Sequence, residues 1–258
     1  MCWRLFDAQY WGVPQRRERV ALVADFAGLS APEIVFDCDS GVIPFSEVRP
    51  IAYGVSGDAA PIGTKRQGTA EAAETDTDSS SAVVYDARGN GDGEICPTLT
   101  GDHENRITDY TAICCGDKVR RLTPLECERL QGFPDNWTLI GKPSDLVIRY
   151  ADYDPSVSWV EAIYKYTGDD GKTHKVTDSA RYKALGNSIA IPSWYQLFKR
   201  LSAFCKDDRT LGSLFDGIGG FPFIWASLHG QDACIWASEI EPFAIAVTKQ
   251  HFPERGKQ

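Results

Sequence analysis

The chain contains no Gly-x-x-x-x-Gly-Lys-Ser/Thr stretch, so it lacks the loop with which P-loop proteins cradle phosphates. It also lacks Gly-x-Gly-x-x-Gly. The nearest candidate begins at Gly217 and puts Pro222 where the last glycine should stand, and proline cannot give the same close helix packing, which disfavours NAD. Eight cysteines (2, 38, 96, 114, 115, 127, 205, 234) form no Cys-x-x-Cys pair and only four histidines accompany them. Neither a zinc site nor a disulfide framework is indicated, and reduced thiols with no bound metal are expected. No run of about 18 apolar residues is present, and the first residues, MCWRLFDAQYW, lack the basic start and apolar centre of a signal peptide. A cytoplasmic protein with no membrane partner is the expectation.

What is present is a core-forming composition, 43% hydrophobic over 258 residues, enough for one large domain or two small ones. The net charge of −9 is unevenly spread. Residues 27–117 carry 5 basic and 16 acidic side chains, whereas residues 118–200 carry 13 basic and 10 acidic. The acidity is confined to one segment, so the total does not exclude DNA, which needs only a local basic face.

The stretch LGSLFDGIGGF, 211–221, reads as a short buried strand, a glycine turn and a helix start. Gly217, Gly219 and Gly220 let backbone N–H groups approach a ligand at a helix N-terminus. Residues 221–228 supply the helix, with Pro222 allowed only in its first turn, and 233–237 read as a second strand ending at Glu239. An acidic residue about 20 positions beyond such glycines grips ribose hydroxyls in nucleotide-binding folds. A glycine-rich turn in any α/β protein is the competing reading.

Near the beginning, Cys2 to Asp7 and Val20 to Asp25 read as strands of one sheet. The loop between them places Gln15, Arg16, Arg17 and Arg19 together. Guanidinium forks suit phosphates or base-edge oxygens, and Arg17 and Arg19 would point the same way in extended chain; a solvated charged turn is the alternative. Residues 54–81 are small, polar and acidic with no apolar period, as in a long loop or disordered insert. Short β-prone pieces follow around Val83, Thr98 and 110–115; His103 and Glu104 there read better as an exposed polar turn than as a catalytic pair.

Residues 120–137, RRLTPLECERLQGFPDNW, carry strong helix punctuation: Thr123 as N-cap, Pro124 at the first position, Glu126 completing a capping box, Gly132 and Pro134 at the end. Arg120 and Arg121 precede it, placed for phosphates. Further on, RYKALGNSIAIPSWYQLFKRL gives a glycine turn at 185–188 and a helix from about 192 to 201. Asn187 and Ser188 there could hydrogen-bond a polar ligand or simply cap the helix's approach.

Together QRRER (15–19), RRLTPLECERLQGFPD (120–135), KALGNSIAIP (183–192) and LFDGIGGF with SEIEP (214–221, 238–242) resemble the cytosine-5 DNA methyltransferases. The resemblance covers roughly half the residues, and the poorly patterned segment falls where that family keeps its variable target-recognition region. It implies an α/β fold: a Rossmann-like sheet for S-adenosylmethionine-dependent methyl transfer, incomplete and permuted, with a small irregular target-recognition domain. It implies S-adenosylmethionine as cofactor and double-stranded DNA as partner. Phe215, Asp216, Gly217, Gly219 and Gly220 would line the methionine and adenine, Glu239 would hold the ribose, and Ile240 would pack on the adenine. Asn187 and Ser188 would approach the cofactor from the other side. Gln15 and Arg17 would brace the catalytic loop region and Arg19 would contact the flipped cytosine.

Two family elements are absent. No Pro-Cys dipeptide, the source of the thiolate that attacks cytosine C6, occurs; Cys96-Pro97 has the reverse order. No Glu-Asn-Val occurs either; Glu104-Asn105-Arg106 stands in another context. The motif order is also unusual, since the family begins with FDGIGG and ends with GNS. The implied layout is late catalytic strands in 1–26, a target-recognition region in 27–183 with its helix at 120–137, a returning helix in 184–201, a junction in 202–209 and the cofactor-binding βαβ start in 210–258. Permutation, a run-on between tandem genes and a truncated permuted enzyme all give this order. The sheet should lack its central strands, leaving the chain unstable alone, paired with a complementary methyltransferase fragment, or closed abnormally. A methyltransferase incomplete in this chain, a non-catalytic DNA- and cofactor-binding subunit, and an unrelated Rossmann oxidoreductase are the three functional expectations.

Overall fold

The computed structural model describes residues 1–26, 28–36, 83–86, 96–99, 111–115, 118–151, 154–205 and 209–253. The acidic insert at 54–81 and the His103–Glu104 turn lie outside these residues. Among the described residues the fold is mixed α and β, with its strands in four small sheets.

The first sheet is an antiparallel ribbon of β1, Cys2–Asp7, and β2, Glu18–Val23. The second strand begins two residues earlier than its apolar pattern suggests, because register with Asp7 continues down to Glu18. One face of this ribbon buries Phe6 and Ala21 against Ile34 and Val35 of α1, Ala31–Val35, and against Leu197. At the ribbon's turn Asp7 caps a 3-10 turn at 8–11 by accepting from Gln9 N, and it also receives the Arg17 backbone N–H at 3.0 Å.

The middle of the chain supplies β3, Val83–Asp86, β4, Thr111–Cys115, and β5, Lys118–Arg121, in one antiparallel sheet. Thr98 is not in a strand. Its neighbour Cys96 instead makes an isolated parallel bridge with Gln15, which ties this segment to the turn of the first ribbon.

Helix α2, Pro124–Leu130, starts as its sequence dictates: Thr123 accepts from Glu126 N and the Glu126 carboxylate returns to Thr123 N at 2.8 Å. It ends at Gly132, φ 77°, where a Cβ would come within 2.8 Å of Pro192 Cδ. Its Glu128 is fully buried and is saturated by Asn136 N, Thr138 N, the Thr138 hydroxyl and Arg181. A buried carboxylate needs this full set of partners to be tolerated.

Between this helix and the GNS segment runs a long antiparallel ribbon that the apolar pattern did not announce: β6, Lys142–Ala151, and β7, Asp154–Thr167, with a short β8, Thr173–Lys175, added at its base. Helix α3, Asp178–Gly186, leads into the GNS turn, and α4 spans Ile191–Phe204. Residues 202–204 of the segment read as a junction lie in this helix.

The last segment is the βαβ unit read from sequence, β9, Leu211–Leu214, α5, Gly220–His229, and β10, Cys234–Ser238, followed by a helix the sequence reading did not name, α6, Pro242–His251. β9 and β10 pair in parallel. Pro222 sits in the first turn of α5, where its missing N–H leaves no broken bond. The main core joins this unit to α2, α3 and α4 through Leu130, Trp137, Leu185, Ile218, Phe223, Val247 and their neighbours. Helix α4 packs Leu197 toward the first ribbon and stacks Phe198 on Phe221 of α5.

Candidate functional site

The glycine turn between β9 and α5 is the most unusual backbone in the described chain. Phe215 is non-glycine yet adopts φ 53°, and its ring is 86% exposed. Such a conformation costs on the order of 1 kcal/mol or more and persists where the surroundings impose it. Here Asp216 imposes it: the residue is buried, its N–H donates to Ser238 O at 3.0 Å, and Thr248 Oγ1 reaches its carboxylate at 3.3 Å. Gly217, φ 58°, faces open space where a side chain would otherwise stand, and Gly219, φ 80°, starts α5.

Glu239 closes this turn. Its Oε2 accepts from Gly217 N at 2.7 Å, and its Oε1 accepts from Ile240 N at 2.7 Å and Glu241 N at 3.0 Å. Burial opposes ionisation of this carboxyl, but the three backbone donors more than offset it and hold the carboxyl below its ordinary range. A carboxylate offers about four acceptor positions, so the three N–H groups leave room for a hydroxyl donor. Ile240, 90% exposed, stands beside it. Two exposed apolar side chains, a carboxylate and an open glycine backbone at a helix N-terminus fit a ligand with an aromatic base and sugar hydroxyls.

The turn is held against two distant segments. Trp137 Nε1 donates to Ile218 O at 2.8 Å, and the Trp137 ring stacks on His251 of α6 with centroids 3.6 Å apart. A Cβ on Gly220 would lie 2.9 Å from Ile189, so the residue after the GNS turn rests directly on the α5 start. Lys183 and Glu241 form an ion pair at 3.1 Å across the same junction.

The GNS turn is in turn gripped by the first ribbon. Arg17, almost fully buried, donates to Leu99 O at 3.0 Å, to Gly186 O at 2.8 Å and to Ser188 O. Burial, assisted by the charge of Arg19, lowers its pKa to about 9, while the three carbonyls keep it a cation. Gln15 is fully buried beside it on the Cys96 bridge, and neither its Nε2 nor its Oε1 has a partner among the described residues. Arg19 differs from Arg17 in environment: it is exposed and bonds its neighbour's carbonyl, Glu18 O, at 2.7 Å. Ser188 is buried and Asn187 exposed. Arg121 is exposed on β5, and the Arg120 side chain lies outside the described residues.

The sequence thus named the residues of the glycine turn and the arginine loop, but two connectors escaped it. Trp137 was read only as the end of a helix segment, and Leu99 not at all; a backbone carbonyl that receives a buried arginine carries no side-chain signal. Cys96, buried and directed at Pro97 O, is packed away instead of presented. Cys127 is likewise buried, and burial pushes its thiol well above the usual range, the opposite of what a nucleophile needs. Among the described residues there is no cluster suited to a metal ion, and no helix is long and apolar enough to cross a membrane.

The model of the C-5 cytosine-specific DNA methylases matches residues 56–151, an interval that includes α2 and excludes the arginine loop, the GNS turn and the glycine turn. The chain is 26% identical over 280 residues to the DNA N-6-adenine-methyltransferase of Escherichia phage P1, covering 80% of the chain and 37% of that protein. It is 25% identical over 240 residues to the type II methyltransferase M.HpaII of Haemophilus parainfluenzae, covering 82% of the chain and 51% of that protein. The chain therefore spans about half or less of the length of these relatives.

Proposed function

We propose that this chain, a relative of the cytosine-5 DNA methyltransferases, provides the cofactor-binding and base-positioning parts of an enzyme that moves a methyl group from S-adenosylmethionine to C5 of cytosine in DNA. One observation carries the reading most: Trp137, Ile189 and Arg17 gather the glycine turn, the GNS turn and the arginine loop into one body although they lie up to about 200 residues apart.

In this reading the cofactor supplies an activated methyl group, and the chain's residues hold it. Phe215 and Ile240 flank the adenine, Glu239 takes a ribose hydroxyl on its remaining acceptor position, and Gly217 and Gly219 let the backbone approach. Asn187 and Ser188 close the site from the GNS side. Arg17 positions that turn through its two carbonyls, and exposed Arg19 meets the extruded cytosine, with Arg121 and Arg120 on backbone phosphates. Chemistry on a base requires its removal from the stack.

The nucleophile comes from elsewhere. No Pro-Cys exists in this sequence, the thiols at 96 and 234 are buried, and burial pushes the Cys127 thiol well above its ordinary range. A binding subunit completed in trans is accordingly the form in which we place the activity. The phage P1 relative's name raises adenine N6 as a second acceptor. Labelled methyl transfer to mixed-sequence DNA, followed by nucleoside analysis, tests both. We expect 5-methylcytosine only when a polypeptide carrying Pro-Cys and Glu-Asn-Val is added. N6-methyladenine would move the function to adenine, and activity of the chain alone would overturn the missing nucleophile.

A further inference from the structure

Each peptide of the glycine turn is tied from a different side. Gly217 N–H donates to Glu239, and Gly219 N–H closes back on Asp216 O at 3.1 Å. The next two carbonyls are taken by side chains from other elements. Thr248 of α6, itself buried, donates its hydroxyl toward Gly217 O at 3.2 Å, with the Asp216 carboxylate 3.3 Å from the same hydroxyl. Trp137 Nε1 donates to Ile218 O at 2.8 Å. Both donors are fixed in their turn. The backbone N–H groups on either side of Trp137, those of Asn136 and Thr138, are bound by the buried Glu128 carboxylate, which also receives Arg181 of α3. His251 lies flat on the indole, and its Nε2 makes a 2.8 Å hydrogen bond with Trp137 O. Thr248 stands one helical turn before His251, so α6 meets the glycine turn directly through the first residue and by way of Trp137 through the second.

We infer that Thr248 and Trp137 are positioning residues of the proposed S-adenosylmethionine site: they draw the Gly217 and Ile218 carbonyls into the protein, so that the turn meets its ligand with N–H groups and not with carbonyls. This rests on the proposed function and adds to it two residues that act through the turn. The physical reason is the trans peptide, whose N–H points opposite its C=O, so that fixing one end fixes the other. Gly217 and Gly219 both have positive φ, and glycine exchanges among conformations at little steric cost. A turn free to flip its peptides would lose that freedom on binding, whereas a turn already held binds without this loss. If these side chains only filled space, valine would serve at 248 and phenylalanine at 137. The bonds to two successive carbonyls give both positions a donor's role instead.

Three variants of the full chain test this. Thr248→Val keeps the side chain's shape without the hydroxyl, Thr248→Ser keeps the hydroxyl, and Trp137→Phe keeps a ring beside His251 without the indole donor. Hydrogen exchange of the backbone amides at 216–220 and calorimetric binding of S-adenosylmethionine are measured on each. Thr248→Val and Trp137→Phe should each speed exchange at 216–220 and weaken binding at least about fivefold at unchanged stoichiometry, while Thr248→Ser stays within about twofold of the parent. Because both act through one turn, the double variant should lose less than the product of the two single losses. A role in stability alone gives a different pattern: fewer competent molecules, read as lower stoichiometry, with an unchanged dissociation constant, as expected for Thr123→Ala at the start of α2. That pattern at 248 and 137, or serine as weak as valine at 248, would overturn the positioning role. A parent chain that binds no S-adenosylmethionine would overturn the proposed function, and the exchange rates would still decide whether the two side chains hold the turn: unchanged rates in Thr248→Val and Trp137→Phe would show that they do not.

Discussion

Glu239 accepts from three backbone N–H groups on one carboxylate, and in the proposed function it takes a ribose hydroxyl as well. Replacing it by alanine removes both the ribose acceptor and the clamp on Gly217, so calorimetry should show S-adenosylmethionine affinity falling at least about tenfold. Glutamine should recover part of this, because its carbonyl accepts but its amide cannot. His251 offers a test of stability against pH. Burial lowers its pKa, and the bond to Trp137 O and the charge of Glu128 only partly oppose this. The folded state therefore favours the neutral ring. Its contribution is fully present above the ordinary histidine range and is lost as pH falls through that range toward the lowered folded value. The thermal midpoint of the parent should drop between pH 7 and pH 5 more steeply than that of His251→Phe, which keeps a ring on Trp137 without a titrating group; equal slopes would assign the drop to other residues.

At the scale of elements, the helix α2 shows how far local rules reach. Thr123, Pro124, Glu126 and Gly132 delimit it in the sequence and in space alike, because caps and left-handed turns are satisfied within a few residues. Thr123→Ala should cost about 1 kcal/mol in a denaturation experiment. The β6–β7 ribbon shows the reverse. Its register pairs Leu146 with Ala162 and Ile148 with Val160 on an exposed face, so its strands follow no inside–outside alternation that a reader could use. Cross-strand ion pairs Arg149–Glu161 at 2.6 Å and Lys165–Asp145 at 2.7 Å accompany its pairing, and these become visible only once the register is known.

For the whole molecule, the core among the described residues is carried by helices and not by one continuous sheet. The described strands settle into four separate small sheets, and helices α2 to α6 form the main core instead. Methyl transfer should therefore depend on mixing: none from the chain alone, and transfer restored when the Pro-Cys polypeptide is supplied, read as labelled methyl on DNA. Supplying that polypeptide with its Pro-Cys cysteine changed to serine should restore association without transfer, which separates assembly from chemistry.

The sequence by itself determined the punctuation: the glycine turn at 217–220, the acidic residue that follows it, the capped helix at 124–130, and the absence of Pro-Cys. Each depends on residues close in the chain or on composition, where backbone sterics and local hydrogen bonds decide. Only the tertiary structure decided that Arg17 is a buried brace while Arg19 stays exposed, that Trp137 holds Ile218, and that Gly220 is required beside Ile189. Those outcomes depend on which carbonyls and side chains arrive from tens to hundreds of residues away, and no local pattern records such arrivals.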